Sequence, residues 1–173
     1  MTRPDISVVI PTFNRSRLLT RLLDAIPDDD AAGCTTEVIV VDDGSTDDTE
    51  ATVRACTRPV TYLRQAGMGP AAARNTGWRA SSAPIVAFLD DDCVPRPGWL
   101  ADYLVSFEDP SVGGVGGTIE PLVDGFVADF ITADGLVDHG RPPGGDAAAD
   151  PTYLVTANAA FRREALEAAD GFE

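Results

Sequence analysis

The sequence predicts an α/β protein with a mainly parallel central sheet flanked by helices. Up to Asp109, short apolar runs rich in β-branched residues alternate with segments whose apolar residues recur at helical spacing. The links between these segments are short, which is typical of parallel strands joined by crossover helices. A length of 173 residues and an apolar fraction of 44% suit one domain with a sizeable core, which we expect to span residues 1–173.

The first strand is predicted over Ile6–Ile10, a β-branched run closed by Pro11. A helix is predicted next, because five apolar residues share one face at helical spacing. They are Leu18, Leu19, Leu22, Leu23 and Ile26. Asn14 or Ser16 can cap this helix at its start, and Pro27 ends it.

The second strand is predicted over Glu37–Val41 and a third, shorter one over Val60–Leu63. Between them, Ser45 or Thr46 can cap a helix that runs to about Cys56. The acidic residues in the first turn of that helix interact favourably with the helix dipole.

The fourth strand is predicted over Ile85–Leu89, after a helix from Pro70 to about Ala80. Pro97-Gly98-Trp99 opens the next helix, whose apolar residues share one face. They are Leu100, Tyr103, Leu104 and Phe107.

Beyond Asp109 the alternation of predicted strands and helices becomes less regular. Residues 112–119 are glycine-laced and strand-like, 126–137 are helical or irregular, and 140–151 have the composition of a mobile loop. A short strand at Tyr153-Leu154-Val155 and a short helix over Arg162–Ala169 complete the prediction.

The charge balance excludes several classes of function. A formal net charge of −15 disfavours nucleic acid and anionic membrane surfaces as partners. All 13 basic residues are arginine, so lysine-dependent phosphate loops and Schiff-base chemistry are ruled out. No stretch is long and apolar enough to span a bilayer, and three scattered cysteines suit a reducing, cytoplasmic location.

The most informative segment is the acid run Asp90-Asp91-Asp92, which directly follows a predicted buried strand. Three adjacent carboxylates repel one another, so a positive group is expected against them. A divalent metal is the obvious candidate, because Mg²⁺ and Mn²⁺ choose carboxylate oxygens and bind together with phosphate. The run lies at the carboxyl end of a strand, where open α/β sheets bind ligands.

Other polar residues are predicted at the same edge of the sheet. Asp42-Asp43 and the segment Pro11-Thr12-Phe13-Asn14 follow two further strands, and Arg74 and Asn75 lie on the early turns of a helix. Carboxylates accept hydrogen bonds from a base and from ribose hydroxyls, whereas a metal and an arginine neutralise phosphates. The set therefore suits a nucleoside diphosphate.

In order and spacing, these motifs resemble the family 2 glycosyltransferases of the GT-A fold. The resemblance covers essentially the whole chain and is carried by five groups of segments. They are Ser7–Arg15, Val38–Asp47, Gly69–Gly77, Phe88–Asp92, and Ala157–Arg163 together with Gly171-Phe172-Glu173. The resemblance implies an inverting enzyme that moves a sugar from a nucleotide-diphospho-sugar, UDP-linked by preference, to an acceptor hydroxyl.

The resemblance also implies roles for residues of the nucleotide pocket. Pro11 and Thr12 would line this pocket. Asp43, together with Asp42, would read the base, and Arg74 would approach the base or the phosphates.

For the acid run, the resemblance implies the family's DxD motif. Asp91 would meet the ribose or the donor sugar, and Asp92, with Asp90, would hold Mn²⁺ or Mg²⁺. Asn158 would lie in the loop next to the donor sugar and the acceptor. Residues 1–109 would form the nucleotide-binding half, and 110–173 the incomplete start of the acceptor-side half.

The general base is left unassigned. Family members carry a further acidic motif after the segment that Gly171-Phe172-Glu173 resembles, so Asp170 and Glu173 are candidates by position alone. We therefore expect an N-terminal fragment, and a catalytically incomplete nucleotide-sugar-binding module is the first alternative. A nucleotidyltransferase and a phospho-acceptor receiver module are weaker alternatives, because the first loop has no glycine and the chain has no lysine.

The resemblance further implies a saccharide, a lipid-linked sugar or another hydroxyl compound as acceptor. A role in cell-envelope polysaccharide synthesis would follow. It is consistent with a cytoplasmic protein, or with one held peripherally at the inner face of the membrane.

Overall fold

The computed structural model describes residues 3–28, 33–122 and 154–173. Strands and helices alternate through most of the chain. The strands are β1 (Ile6–Thr12), β2 (Thr36–Asp42), β3 (Thr61–Arg64), β4 (Ile85–Leu89), β5 (Gly114–Gly116) and β6 (Asn158–Arg162). The helices are α1 (Ser16–Ala25), α2 (Thr49–Ala55), α3 (Pro70–Ala80), α4 (Trp99–Ser106) and α5 (Arg163–Ala168).

The six strands form one mixed sheet in the order β3-β2-β1-β4-β6-β5. The four strands from β3 to β4 are mutually parallel, whereas β6 runs antiparallel to both β4 and β5. In the parallel part, Thr12 pairs with Asp42, and Asp42 pairs with Arg64. The carboxyl ends of β1, β2 and β3 therefore lie level at one edge, as the sequence predicts.

Both faces of the sheet are covered, which explains why the central strands are apolar without alternation. Val8 and Ile10 of β1 belong to the apolar cluster shared with α1 and α4. Val9, between them, belongs to the cluster on the opposite face, where α3 and α5 pack. The sheet is therefore a rigid, buried platform for the loops at its edge.

The predicted caps of α1 and α2 are wrong. Neither Asn14 nor Ser16 caps α1; instead the backbone N–H of Ser16 donates to Asp47 Oδ2 at 2.9 Å, from the next β–α loop. The helix α2 begins at Thr49, later than Ser45 or Thr46, because Asp47 also accepts from the backbone N–H of Thr49. A contact between the two β–α loops thus replaces the predicted cap at the start of α1, whereas a local contact between Asp47 and Thr49 lies at the start of α2.

The apolar stripe of α1 is narrower than predicted. Leu19, Leu22 and Leu23 are buried, but the side of the helix that carries Leu18 is exposed.

The C-terminal prediction is wrong for one strand. Leu154 and Val155 are not in a strand, and Tyr153 lies outside the described residues. The strand is Asn158–Arg162, in which Ala159 and Ala160 are fully buried against β4. Predicted features at 126–137 and 140–151 also lie outside the described residues. In the described ranges, no helix is both long enough and apolar enough to cross a bilayer.

Candidate functional site

A cleft of about 440 Å³ opens at the carboxyl ends of β1, β2 and β4. Residues from three strand ends and from the start of α3 line it. They are Pro11, Thr12, Phe13, Arg15, Asp43, Pro70, Ala73, Arg74, Asp90 and Asp91. The structure thus brings together Pro11, Thr12, Asp43, Arg74, Asp90 and Asp91 of the predicted site.

The acid run is met by two arginines. Arg15 Nη1 lies 3.0 Å from Asp91 Oδ1 and 3.0 Å from Asp92 Oδ2. Arg74 Nη2 lies 2.6 Å from Asp90 Oδ1. Sequence reasoning expected a positive partner here but named a metal and missed Arg15. The signal was available, since Arg15 follows the loop after β1 at the same edge of the sheet.

Asp91 is the buried member of the run. Its side chain is only 5% exposed, and the Thr12 hydroxyl donates to its Oδ2 at 2.7 Å. Burial raises the pKa of Asp91, against the opposing effect of the bonds from Thr12 and Arg15. A desolvated carboxylate at the floor of a cleft is suited to accept hydroxyl donors.

Asp43 organises the wall of the cleft opposite the acid run. Its Oδ1 accepts from Gln65 Nε2 at 2.8 Å and from the backbone N–H of Met68 at 2.7 Å, and its Oδ2 accepts from the backbone N–H of Gly69 at 2.8 Å. Burial opposes ionisation, but these hydrogen bonds outweigh it and lower the pKa of Asp43. Asp43 is therefore ionised at neutral pH and fixes the loop that leads into α3.

Asp42 does not line the cleft. Its side chain is fully buried, with Oδ1 accepting from the backbone N–H of Ser45 at 2.7 Å. Its Oδ2 accepts from the hydroxyl of Tyr62 at 2.5 Å and from Arg64 Nη1 at 3.3 Å. Burial and the bond to Asp42 raise the pKa of Tyr62 to about 12. Asp42 thus has a structural position between β2 and β3.

Arg74 and its neighbour Asn75 face different surroundings. The Arg74 side chain is 13% exposed in the cleft, and its Nε is buried without a hydrogen-bond partner among the described residues. Asn75 instead holds the C-terminal segment, with Nδ2 donating to the carbonyl of Phe172 at 2.7 Å. Its Oδ1 accepts from the backbone N–H of Phe172 and from Trp78 Nε1, both at 2.9 Å. The structure therefore separates Asn75 from the cleft.

Asn158 opens β6 and does not lie in a loop. Its Oδ1 accepts from the Tyr103 hydroxyl at 2.6 Å, and its Nδ2 donates to the carbonyl of Thr118 at 3.0 Å. Both ends of the amide thus join α4 and the segment after β5 to the strand next to the acid run.

The two candidates for the general base lie away from the cleft lining. The Asp170 side chain is 98% exposed and 3.2 Å from Arg79 Nη2, at the far end of α3 from Pro70. Glu173 is exposed and, like Asp170, is not a lining residue.

The acid run offers hard oxygen ligands for a divalent cation, although the described residues contain no cluster of three or more His, Cys, Asp or Glu side chains that could hold a metal. Asp92, with its side chain 51% exposed, and Asp90, 32% exposed, present accessible carboxylates. Mg²⁺ and Mn²⁺ bind through one or two carboxylates when substrate phosphates supply further ligands. The residues therefore fit a cation that arrives with a phosphorylated ligand.

The chain has relatives among proteins named as glycosyltransferases. The family model described as Glycosyl transferase family 2 matches residues 7–169. A Pre-mycofactocin glycosyltransferase of Mycobacterium tuberculosis is 36% identical over 177 residues, which cover 98% of this chain and 36% of the relative. The chain therefore spans well under half the length of this relative.

Solved structures share the fold over most of the chain. A mannosyltransferase, PcManGT from Pyrobaculum calidifontis in complex with GDP-Man and Mn²⁺, superposes with a TM-score of 0.72 at 30% identity, covering 100% of this chain and 48% of that one. TarS of S. aureus in complex with UDP superposes with a TM-score of 0.70 at 19% identity, covering 97% of this chain and 49% of that one, and supports the fold alone. These matches confirm the predicted GT-A fold.

A family match over nearly the whole chain, a relative of 36% identity and the GT-A fold agree with one another. They confirm the resemblance to this family inferred from the motifs. The chain belongs to glycosyl transferase family 2.

Proposed function

We propose that this chain binds a nucleotide-diphospho-sugar, UDP-linked by preference, in the cleft beside the acid run. We propose further that it takes part in the transfer of the sugar to an acceptor hydroxyl. The observation that carries the proposal is the convergence of Asp43, Arg74, Asp90 and Asp91 on one cleft at the carboxyl edge of the sheet. The set supplies acceptors for a base and for hydroxyls, together with a cation for phosphate. Family membership supports the same reading.

The hydrogen bonds of Asp43 support uracil as the base. A carboxylate has about four acceptor sites, and three of those on Asp43 are used by Gln65, Met68 and Gly69. One site remains, on Oδ2. Uracil presents a single N–H on its pairing edge, whereas guanine presents two adjacent donors and would leave one unpaired. Phe13, 53% exposed at the cleft, offers an aromatic face for the base.

Arg74 is suited to neutralise the diphosphate. Its side chain lines the cleft and is 13% exposed, so the guanidinium can pair with a phosphate oxygen there. Asp92, with Asp90, would hold Mn²⁺ or Mg²⁺. When bound, that cation supplies Lewis-acid stabilisation of the charge that develops on the departing diphosphate.

Transfer with inversion requires an acceptor hydroxyl to attack the anomeric carbon from the side opposite the diphosphate. A general base must take the hydroxyl proton. Asp170 and Glu173 are not lining residues of the cleft, so they gain no support from the geometry. The proposed acceptor is a saccharide or a lipid-linked compound that carries the hydroxyl.

Donor binding without transfer is the second candidate function. The observation that favours it is that neither of the base candidates, Asp170 and Glu173, reaches the cleft lining. Release of UDP and formation of a glycoside, measured with UDP-glucose and a mixture of sugar acceptors, would distinguish transfer from binding alone. Family membership leaves no support for a nucleotidyltransferase or a receiver module.

Competition between UDP and GDP tests the proposed base. We expect UDP to displace a fluorescent UDP analogue at a concentration about tenfold lower than GDP, because guanine would leave one donor unpaired. The Asp43→Asn substitution should weaken UDP binding. Asp102 is an exposed acid on α4, and Asp102→Asn should leave UDP binding unchanged. Equal or tighter binding of GDP would contradict the assignment.

A further inference from the structure

A single nitrogen of Arg15 serves two carboxylates of the acid run. Nη1 donates to Asp91 Oδ1 and to Asp92 Oδ2, in each case at 3.0 Å. Asp92 Oδ2 therefore accepts a hydrogen bond from a guanidinium in this structure. The same carboxylate is the one that the proposed function assigns to a divalent cation.

Arg15 and Arg74 differ in how firmly they are held. Arg74 is 13% exposed and lies within the cleft wall, whereas the side chain of Arg15 is 50% exposed. In the described part of the chain, the recorded hydrogen bonds of the Arg15 guanidinium go to Asp91 and Asp92 alone. Arg15 precedes the first residue of α1, so its side chain can move without disturbing a helix. Arg74 is thus a fixed cation, and Arg15 is a releasable one.

A divalent cation and the Arg15 guanidinium compete for the carboxylate of Asp92. Two positive groups on one carboxylate repel each other, so metal alone must displace Arg15 from Asp92 before it binds at full strength. A diphosphate changes this balance in two ways. It offers Arg15, which lines the cleft, another anion, and it supplies phosphate oxygens as further metal ligands.

We propose that Arg15 is a built-in counter-cation that keeps divalent metal from Asp92 until a nucleoside diphosphate occupies the cleft. The inference rests on the proposed function, because it requires both ligands in one site. It makes metal binding and nucleotide binding positively coupled through a residue of the chain. By linkage, each ligand tightens the other by the same factor.

Mn²⁺ binding measured without turnover tests this proposal. The concentration of free Mn²⁺ is followed by electron paramagnetic resonance as MnCl₂ is added to the chain, first alone and then with saturating UDP. Without UDP, we expect Arg15→Gln to bind Mn²⁺ about tenfold more tightly than wild type, a typical size for such coupling. With UDP, the gain in Mn²⁺ affinity should be smaller in the variant than in wild type.

Matched variants separate the role of Arg15 from a general change in charge. Arg17→Gln removes the same charge from an exposed position two residues away and should leave Mn²⁺ affinity within about twofold of wild type, as expected for a screened surface charge. Arg15→Met retains the apolar part of the side chain. If Arg15→Gln does not fold, Arg15→Met should show the same increase in Mn²⁺ affinity. Adding Asp92→Asn to Arg15→Gln should abolish the gain.

Three results would overturn the proposal. They are equal Mn²⁺ affinity in Arg15→Gln and wild type, the same gain in Arg17→Gln, and a gain that survives Asp92→Asn. If UDP still binds in any of these cases, only the counter-cation role fails. If wild type binds Mn²⁺ but not UDP, the nucleotide site itself is contradicted.

Discussion

At the scale of single residues, three consecutive acids occupy three different environments. Asp91 is buried beside Thr12, Asp90 contacts the fixed Arg74, and Asp92 is half-exposed beside Arg15. Because a strand ends at Leu89, the turn that follows sends the three side chains in different directions. One run of sequence thus supplies a buried acceptor and two accessible carboxylates.

Asp91→Asn tests whether Asp91 is held for function at the cost of stability. Burial raises the pKa of Asp91, so its stabilising contribution is present below its ordinary pKa of 3.8 and is lost as the pH rises through the raised value. We expect the variant to match or exceed wild type in free energy of unfolding at pH 7, with a smaller advantage at pH 4. Urea unfolding at both pH values measures this difference.

Two features make that expectation specific. Arg15 keeps Asp92 as a partner in the variant, and the Thr12 hydroxyl can donate to the oxygen of the new amide. Asp92→Asn, the same change at a half-exposed position, should alter the free energy of unfolding by no more than about 0.5 kcal/mol. A loss above about 2 kcal/mol in Asp91→Asn at pH 7 would show that the buried carboxylate stabilises the fold.

The sequence predicted the residues of the cleft better than their partners. The acid run and Asp43 were singled out because charged residues directly after apolar strands have few structural explanations, and Arg74 because it lies on the early turns of a helix that starts at the same edge. The burial of Asp42 was not predicted, since its partners Tyr62 and Arg64 come from a strand whose register only the fold defines.

At the scale of elements, Asp47 joins the starts of two helices. It accepts from the backbone N–H of Ser16 in α1 and from both the N–H and the hydroxyl of Thr49 in α2. The hydroxyl of Thr49, followed by the N–H of Ser16, lowers the pKa of Asp47 to about 2. The stabilisation is therefore present above 3.8 and lost as the pH falls towards about 2.

Asp47→Asn tests this shared cap. We expect the free energy of unfolding of wild type to fall more steeply than that of the variant between pH 3.8 and about 2. Urea unfolding over a pH series provides the measurement. Asp48→Asn, an exposed neighbour that makes no capping bond, should retain the wild-type slope. Identical slopes in Asp47→Asn and wild type would contradict the shared cap.

Helix α3 approaches the sheet closely at Gly77. A Cβ at this position would overlap Val9 Cγ1 and lie 3.1 Å from Val41 Cγ2. Both valines are fully buried, so neither can move easily. The absence of a side chain at Gly77 therefore sets how near the helix carrying Arg74 lies to the strands that end at the cleft.

Gly77→Ala should destabilise the protein by about 1–3 kcal/mol, although alanine favours a helix by about 1 kcal/mol over glycine. Urea unfolding measures the change, with the same dependence of the unfolding free energy on urea concentration used for variant and wild type. Gly113→Ala is the matched control, because its nearest neighbour would be Ala165 Cβ at an ordinary 3.7 Å. A neutral or stabilising effect of Gly77→Ala would mean that the helix can shift away from the sheet.

The elements that sequence predicted best are those whose own residues determine them. Helix Pro70–Ala80 and strand Ile85–Leu89 have the predicted bounds, because a proline start and a short continuous apolar run are local signals. The strand β6 was missed, since Ala159 and Ala160 have low strand propensity and are buried only through pairing with β4.

At the scale of the whole molecule, the sheet divides into a parallel part and an antiparallel edge. The lining residues of the cleft come from the ends of β1, β2 and β4 in the parallel part, from the loops that follow them, and from the start of α3. The β6 edge supports the parallel part from the side: Phe161 and Phe172 pack on Phe88 of β4 with ring centroids 6.0 and 5.0 Å away.

The absence of lysine has a structural counterpart in the second half of the chain. Arg163 donates to the carbonyls of Trp78, Ala83 and Ser81, and thereby ties α5 to the end of α3. Arg162 similarly donates to the carbonyls of Phe107, Asp109 and Val112, which follow α4. A planar guanidinium can serve several carbonyls at once, which a single ammonium group on a flexible stem does less well.

Calorimetric titration of UDP into the chain, with and without Mn²⁺ and beside Asp92→Ala, tests the central claim most directly. We predict that UDP binds wild type, that Mn²⁺ tightens this binding, and that the tightening is lost in Asp92→Ala while the protein remains folded. Absence of UDP binding by the folded wild-type chain, with or without Mn²⁺, would contradict a nucleotide site in the cleft.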